Sequence, residues 1–205
     1  MLTTELIPAI ETGSRRLLVV LHGLGDSMDG YRWLPPELGL HSLNYLLVNA
    51  PDPYYEGWSW FDIHNDREGT IRRSWLLLRE LLDQLRADGW PSEQTALFGF
   101  SQGCLMTWEA GLRYPHRFAG LVGISGWVHE HQRSLTELSP VAREQRFLVT
   151  HGTNDPLIPF ADVQQQVEDL QTAGLNIEWH ALRKAHTIAG QAELDLIRDF
   201  LRRCR

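Results

Sequence analysis

Gly99-Phe100-Ser101-Gln102-Gly103 lies between an apolar run, Thr95-Ala96-Leu97-Phe98, and a helical pattern that begins near Cys104. Glycines two before and two after a serine suit a very sharp strand-to-helix turn, because side chains there would collide with the adjoining strand and helix. Such a turn holds the serine hydroxyl above a sheet edge, at the amino end of a helix. The pentapeptide is permissive by itself and gains weight only from its company.

A serine needs partners before it can attack a carbonyl, and in one common order an acid and then a histidine follow it. Of nine histidines, only His180 and His186 lie beyond the first plausible acid. His180 sits in the alternating run Asn176-Ile177-Glu178-Trp179-His180-Ala181-Leu182, which reads as a strand and makes it structural. His186 lies just past that strand, where a loop brings an imidazole over the sheet edge, and is the candidate base. Arg146-Phe147-Leu148-Val149-Thr150 reads as a buried strand, and His151 to Pro156 as the loop leaving its carboxyl end. Asp155 therefore emerges at the edge shared with Ser101 and His186, as sites in open parallel sheets do. Its plainer reading is a turn aspartate. Asp162 and Asp169 fall on the following helix and read as solvated acids.

The developing negative oxygen needs donors. Leu17-Leu18-Val19-Val20-Leu21 is a buried strand followed by His22-Gly23-Leu24-Gly25-Asp26-Ser27, a glycine-flanked loop that presents backbone N–H groups. The first donor is assigned to Leu24, with Gly23 the alternative, and the second to Gln102. Such donors contribute roughly 10²–10³ in rate each. His22 precedes the serine and is read as ordering its own loop.

These residues resemble a known family, the phospholipase/carboxylesterase family of α/β hydrolases, which includes acyl-protein thioesterases and small bacterial carboxylesterases. The resemblance rests on Leu21-His22-Gly23-Leu24-Gly25-Asp26, Asn49-Ala50-Pro51, Trp60-Phe61-Asp62, the Ser101 pentapeptide, His151-Gly152 with Asp155-Pro156-Leu157-Ile158-Pro159, and Ala185-His186-Thr187. The matches run in the family's order over nearly the whole chain. They imply an α/β-hydrolase fold with Ser101, Asp155 and His186 as a triad and Leu24 and Gln102 as oxyanion donors. The chain departs from the pattern at Cys104, where glycine is usual, and at Lys184-Ala185, which replaces a Gly-Met type of lead-in and stiffens the approach to His186. Tyr54-Tyr55-Glu56-Gly57-Trp58-Ser59-Trp60 is unusually aromatic, which bears on substrate preference rather than on chemistry.

At 205 residues and 43% hydrophobic, the chain buries one sizeable core and is most simply one domain. Net charge is −7 and no basic cluster exceeds Arg202-Arg203 with Arg205, which argues against nucleic acid. No apolar run approaches the roughly 20 residues of a membrane span, and Met1-Leu2-Thr3-Thr4-Glu5 does not start like a signal peptide. Two cysteines make no disulfide framework, so cytoplasm is the expected compartment.

Strands and helices alternate: strand Arg16 to Leu21, a short helix near Tyr31 to Leu38 interrupted by Pro35-Pro36, and strand Tyr45 to Val48. Ile71, Trp75, Leu78, Leu82 and Leu85 recur at helical spacing, predicting an amphipathic helix over Arg67 to Ala87. The elbow and a helix through Arg113 come next. Strand 120–124, strand 147–150, helix 161–172, strand 177–182 and helix 191–203 complete the pattern. Repeated β–α units predict a mostly parallel central sheet with helices on both faces and no large lid domain. Glu5 to Ala9 is a candidate antiparallel edge strand.

Two irregular segments, Pro51 to Asp66 and Ser125 to Glu144, are where substrate is expected. Trp60, Trp127, Leu157 and Ile158 are candidate walls of an apolar acyl groove; alternatively Trp60 and Phe61 pack beneath their loop as core. His129 and His131 resemble half a metal site, but no further ligand completes it, and the chemistry calls for no cofactor. The expected activity is hydrolysis of small or single-chain acyl esters through an acyl-enzyme on Ser101. An acyl-protein thioesterase or lysophospholipase with a long groove is the alternative, and a non-catalytic ligand-binding protein a more distant one. The partner is then a small-molecule or lipid acyl ester, or an acylated protein. The aromatic loops are a candidate homodimer surface.

Overall fold

The alternation along each strand decides how the sheet is covered. On β2 (Arg16–Leu21), Leu17, Val19 and Leu21 point to one face while Leu18 and Val20 point to the other. Burial on both faces is what a parallel sheet between helix layers demands. The computed structural model describes residues 1–204, so Arg205 lies outside it. Its main sheet has seven strands in the order β1 (Thr4–Ile7), β3 (Leu43–Val48), β2, β6 (Thr95–Phe100), β7 (Gly120–Ile124), β8 (Arg146–Gly152), β9 (Asn176–Leu182). All neighbours pair in parallel except β1, which runs antiparallel to β3 at the edge.

One face is covered by α2 (Arg67–Ala87), α3 (Gln102–Arg113) and α5 (Phe160–Thr172), through residues such as Trp75, Leu78, Leu105, Trp108 and Val167. The other is covered by α1 (Leu34–Leu38) and α6 (Gly190–Arg203), through Leu34, Leu38, Ile197 and Phe200. The strand order reverses between β2 and β6, so the loop after Leu21 and the turn after Phe100 leave the sheet side by side at a topological switch point. Open α/β sheets bind ligands there.

The structure departs from the sequence reading in four places. Pro35 and Pro36 sit in the first turn of α1 rather than interrupting a helix, where a missing N–H costs nothing. His151 and Gly152 extend β8, paired with Ala181 and Leu182, and are not loop. Residues 51–66 contain a hairpin, β4 (Asp52–Tyr54) and β5 (Gly57–Ser59), while 125–144 contain a short helix, α4 (His131–Ser134). Both are too brief for hydrophobic periodicity to register. No helix among the described residues is long and apolar enough to cross a membrane.

Candidate active site

Ser101 is built by steric compulsion. Its backbone stands at φ +54°, ψ −115°, a region that costs a non-glycine residue about 1–3 kcal/mol. The two glycines that flank the turn make it possible. A Cβ on Gly99 would fall 2.1 Å from Gly103 O, and one on Gly103 would fall 2.1 Å from Leu21 O. The Ser101 N–H donates to Ile124 O of β7 at 2.9 Å, tying the turn to the sheet.

The serine hydroxyl donates to His186 Nε2 at 2.9 Å, and His186 Nδ1–H donates to Asp155 Oδ2 at 2.7 Å. The Asp155 side chain has no exposed surface. Its Oδ1 accepts from the N–H groups of Leu157 (2.9 Å) and Ile158 (3.0 Å). Burial works to raise its pKa, but hydrogen bonds from Ile158, His186 and Leu157 prevail and hold the carboxyl below its ordinary range. His151 Nε2 lies 3.6 Å from Asp155 Oδ2 and donates to Ile158 O at 3.1 Å. Burial pushes this imidazole's pKa down, favouring its neutral form.

The loop after β2 arrives beside Ser101: a Cβ on Gly23 would sit 3.3 Å from Ser101 Cβ. Gly25 N–H is spent on Trp58 O (2.9 Å) and Asp26 N–H on Gly23 O (3.3 Å), which narrows the loop's candidate donors to Gly23 and Leu24. His22 orders this loop, in a tautomer fixed by its neighbours. Ala50 N–H donates to Nε2 (3.0 Å), so Nδ1 carries the proton and donates to Gly23 O (2.6 Å). Burial pushes the His22 pKa below its ordinary value against that last bond. Across the switch point, the Gln102 N–H opens helix α3, whose amino end favours negative charge.

The sequence-derived groove walls have different fates. Trp60 is fully buried; its indole N–H donates to His22 O (2.9 Å) and its backbone N–H to Gln102 Oε1 (2.8 Å). It therefore buttresses the loop after β2, and of the two readings open in the sequence the structure takes the buried one. Phe61, also buried, meets the half-buried Trp127 edge to face with centroids 5.9 Å apart. Leu157 is 70% exposed and Ile158 is half-buried; what the pair gives the site is its backbone grip on Asp155.

Sequence reasoning missed the Gln102 side chain, which also donates to Phe61 O (2.9 Å) and accepts from Ser59 Oγ (3.2 Å). It welds the elbow to the segment after the hairpin, and no local signal announces that. It also missed a cavity of about 420 Å³ that opens on His186 and is lined by Tyr31, Trp33, Phe100 and Ile188. A second cavity, about 370 Å³ and lined by Ile71, Trp75, Glu109 and His129, includes none of Ser101, Asp155 and His186. His131 faces Asp169 at 3.2 Å.

The sequence profile described as Phospholipase/Carboxylesterase matches residues 3–205. The chain belongs to that family. It is a serine hydrolase acting on carboxylic esters. Acyl-protein thioesterase 1 of Schizosaccharomyces pombe is 35% identical over 155 residues, 69% of each chain. A probable carboxylesterase of Oryza sativa is 30% identical, covering 88% of this chain and 76% of its own. Among solved structures, esterase PE8 superposes with a TM-score of 0.89 at 27% identity, covering 100% of this chain and 99% of its own. The Bacillus cereus carboxylesterase, at 17% identity and a TM-score of 0.83, covers 100% of this chain and 95% of its own, and shares the fold.

Proposed function

We propose that this hydrolase cleaves small acyl esters through Ser101, His186 and Asp155, and the observation that carries this reading is the continuous hydrogen-bonded relay from Ser101 Oγ to Asp155 Oδ2. As Ser101 Oγ bonds to the acyl carbon, its proton passes to His186 Nε2. Asp155 holds the imidazole in the required tautomer and faces the imidazolium that forms. The carbonyl oxygen, now anionic, is met by the N–H groups of Leu24 and Gln102. Collapse breaks the bond to the leaving alkoxide, which takes the His186 proton and departs, leaving the acyl group on Ser101. Water, deprotonated by the same imidazole, attacks that acyl carbon; the bond to Ser101 Oγ breaks, Oγ takes the proton back from His186, and the acid is released.

The preference for small acyl groups is supported by the fate of the aromatic segment. Trp60, a candidate groove wall, is fully buried with Phe61 beneath its loop, and a cavity beside Trp33, Phe100 and Ile188 opens on His186. Cleavage of long-chain thioesters is the second reading, favoured by the relative named acyl-protein thioesterase. The two are separated by kcat/KM across p-nitrophenyl esters from acetate to palmitate. A maximum at short chains is expected; a maximum at palmitate would replace the first reading with the second. Labelling of the wild type by a fluorophosphonate, absent in Ser101→Ala, tests the nucleophile itself.

A further inference from the structure

Lys184 and Glu193 form a buried ion pair directly behind the triad. The Lys184 ammonium donates to Glu193 Oε1 at 2.5 Å, and neither side chain is more than 2% exposed. The Glu193 carboxylate reaches from α6 to two further points. Its Oε1 also accepts from the Thr150 hydroxyl on β8, the strand that leads to Asp155. Its Oε2 accepts from the N–H of Ala189. Lys184 lies two residues before His186 and Ala189 three after, so one carboxylate grips the loop of the base on both sides.

Lys184 is tied through its backbone as well. Its carbonyl accepts from the N–H of Asn154, the residue before Asp155, at 3.1 Å. The side chain thus anchors the base loop to α6 while the main chain anchors it to the acid loop. Burial pushes the ammonium pKa down and the carboxylate opposes that shift. A buried pair of this kind is poor evidence for stability, since desolvating two charges offsets most of their attraction. What it does supply is direction: three hydrogen bonds converge on one carboxylate from β8 and both sides of the His186 loop, and in a dry interior they have few alternatives.

We propose that Lys184 and Glu193 are positioning residues for the general base, a clamp that sets His186 between Ser101 and Asp155. Neither touches the reacting atoms, and the clamp acts only through the loop it holds. The inference rests on the reading of Ser101, His186 and Asp155 given above. A misplacement of about 1 Å at such a base costs on the order of 10²-fold in rate.

The test compares wild type, Glu193→Gln and the double variant Lys184→Met/Glu193→Gln, which keeps side-chain volume without an orphaned charge. The readouts are kcat and KM on p-nitrophenyl butyrate, the rate of fluorophosphonate labelling, and the far-downfield proton resonance of His186 Nδ1–H. Folding is checked by circular dichroism. The clamp predicts that both variants lose about 10- to 10²-fold in kcat and in labelling rate while KM stays within about twofold. It also predicts that the downfield resonance broadens or disappears. A folded double variant with kcat within about twofold of wild type and an intact resonance overturns the proposal. So does a pair of variants that only unfold, which would make the bridge structural. If wild type itself resists the fluorophosphonate, the triad reading fails first, and the two failures remain distinct.

Discussion

The two halves of the proposed relay are held in place by different physics. Ser101 is fixed by backbone sterics: Gly99 and Gly103 allow strand and helix to approach within distances no Cβ tolerates, and the Ile124 carbonyl pins the turn to the sheet. His186 sits on a loop outside any strand or helix, between β9 and α6, and side chains from other elements hold it. Its support is the carboxylate of Asp155 on one side and the Glu193 network on the other. The comparison teaches that the Ser101 turn is specified by five consecutive residues, whereas His186 depends on side chains supplied by separate elements.

The comparison can be broken most severely at the serine. Ser101→Ala is expected to lose about 10⁶-fold in kcat on p-nitrophenyl butyrate, with melting temperature little changed. A residual rate within about tenfold of wild type would move the nucleophile elsewhere.

Adding one carbon to each half sharpens the contrast. Gly99→Ala places a Cβ against Gly103 O and Thr107 Oγ1, so the elbow itself must move. Its expected loss is chiefly of stability, about 1–3 kcal/mol or more by denaturant melting. Gly152→Ala places a Cβ 2.4 Å from Lys184 O, between β8 and the base loop. There the larger loss should be in kcat, about 10²-fold, with the smaller shift in stability. Equal losses at both positions would erase the distinction between steric and networked support.

Acid should reach the networked half through Asp155. Its pKa in the folded protein is depressed below that of an unfolded-chain aspartate, about 3.9. Its contribution to stability is therefore complete above about pH 3.9 and is lost as pH falls through the lower folded value. The melting-temperature advantage of wild type over Asp155→Asn should be constant above that pH and shrink below it. An advantage that grows on acidification would contradict the sign.

The smallest effect is expected beneath the elbow. Cys104 is fully buried, and burial pushes its thiol up to about 12. Native protein should resist iodoacetamide at neutral pH and react only on unfolding. Fast native alkylation would show that the steric half of the site opens more readily than its packing implies.

The sequence by itself determined the parts set by local rules. The continuous apolar run Leu17 to Leu21 marked β2 as a buried strand, the 3.6-residue spacing placed α2 at Arg67–Ala87, and the Gly99–Gly103 spacing marked the sharp turn. These signals are local because backbone sterics and hydrophobic periodicity act over a few residues. The order of acid and histidine along the chain was enough to name Asp155 and His186 as candidates, because parallel strands deliver their carboxyl ends to one edge.

Only the tertiary structure decided what buried polar side chains do. Trp60 reads as a groove wall or as core until its indole is seen bonded to His22 O. Leu157 and Ile158 read as groove walls until their N–H groups are found on Asp155. Gln102 reads as a backbone donor until its amide is found holding Trp60 and Phe61. Lys184 and Glu193 stand nine residues apart in sequence, yet nothing local says that one carboxylate will also collect Thr150 and Ala189. A buried polar group must find partners wherever the fold supplies them, and those partners come from elements whose proximity no local pattern encodes.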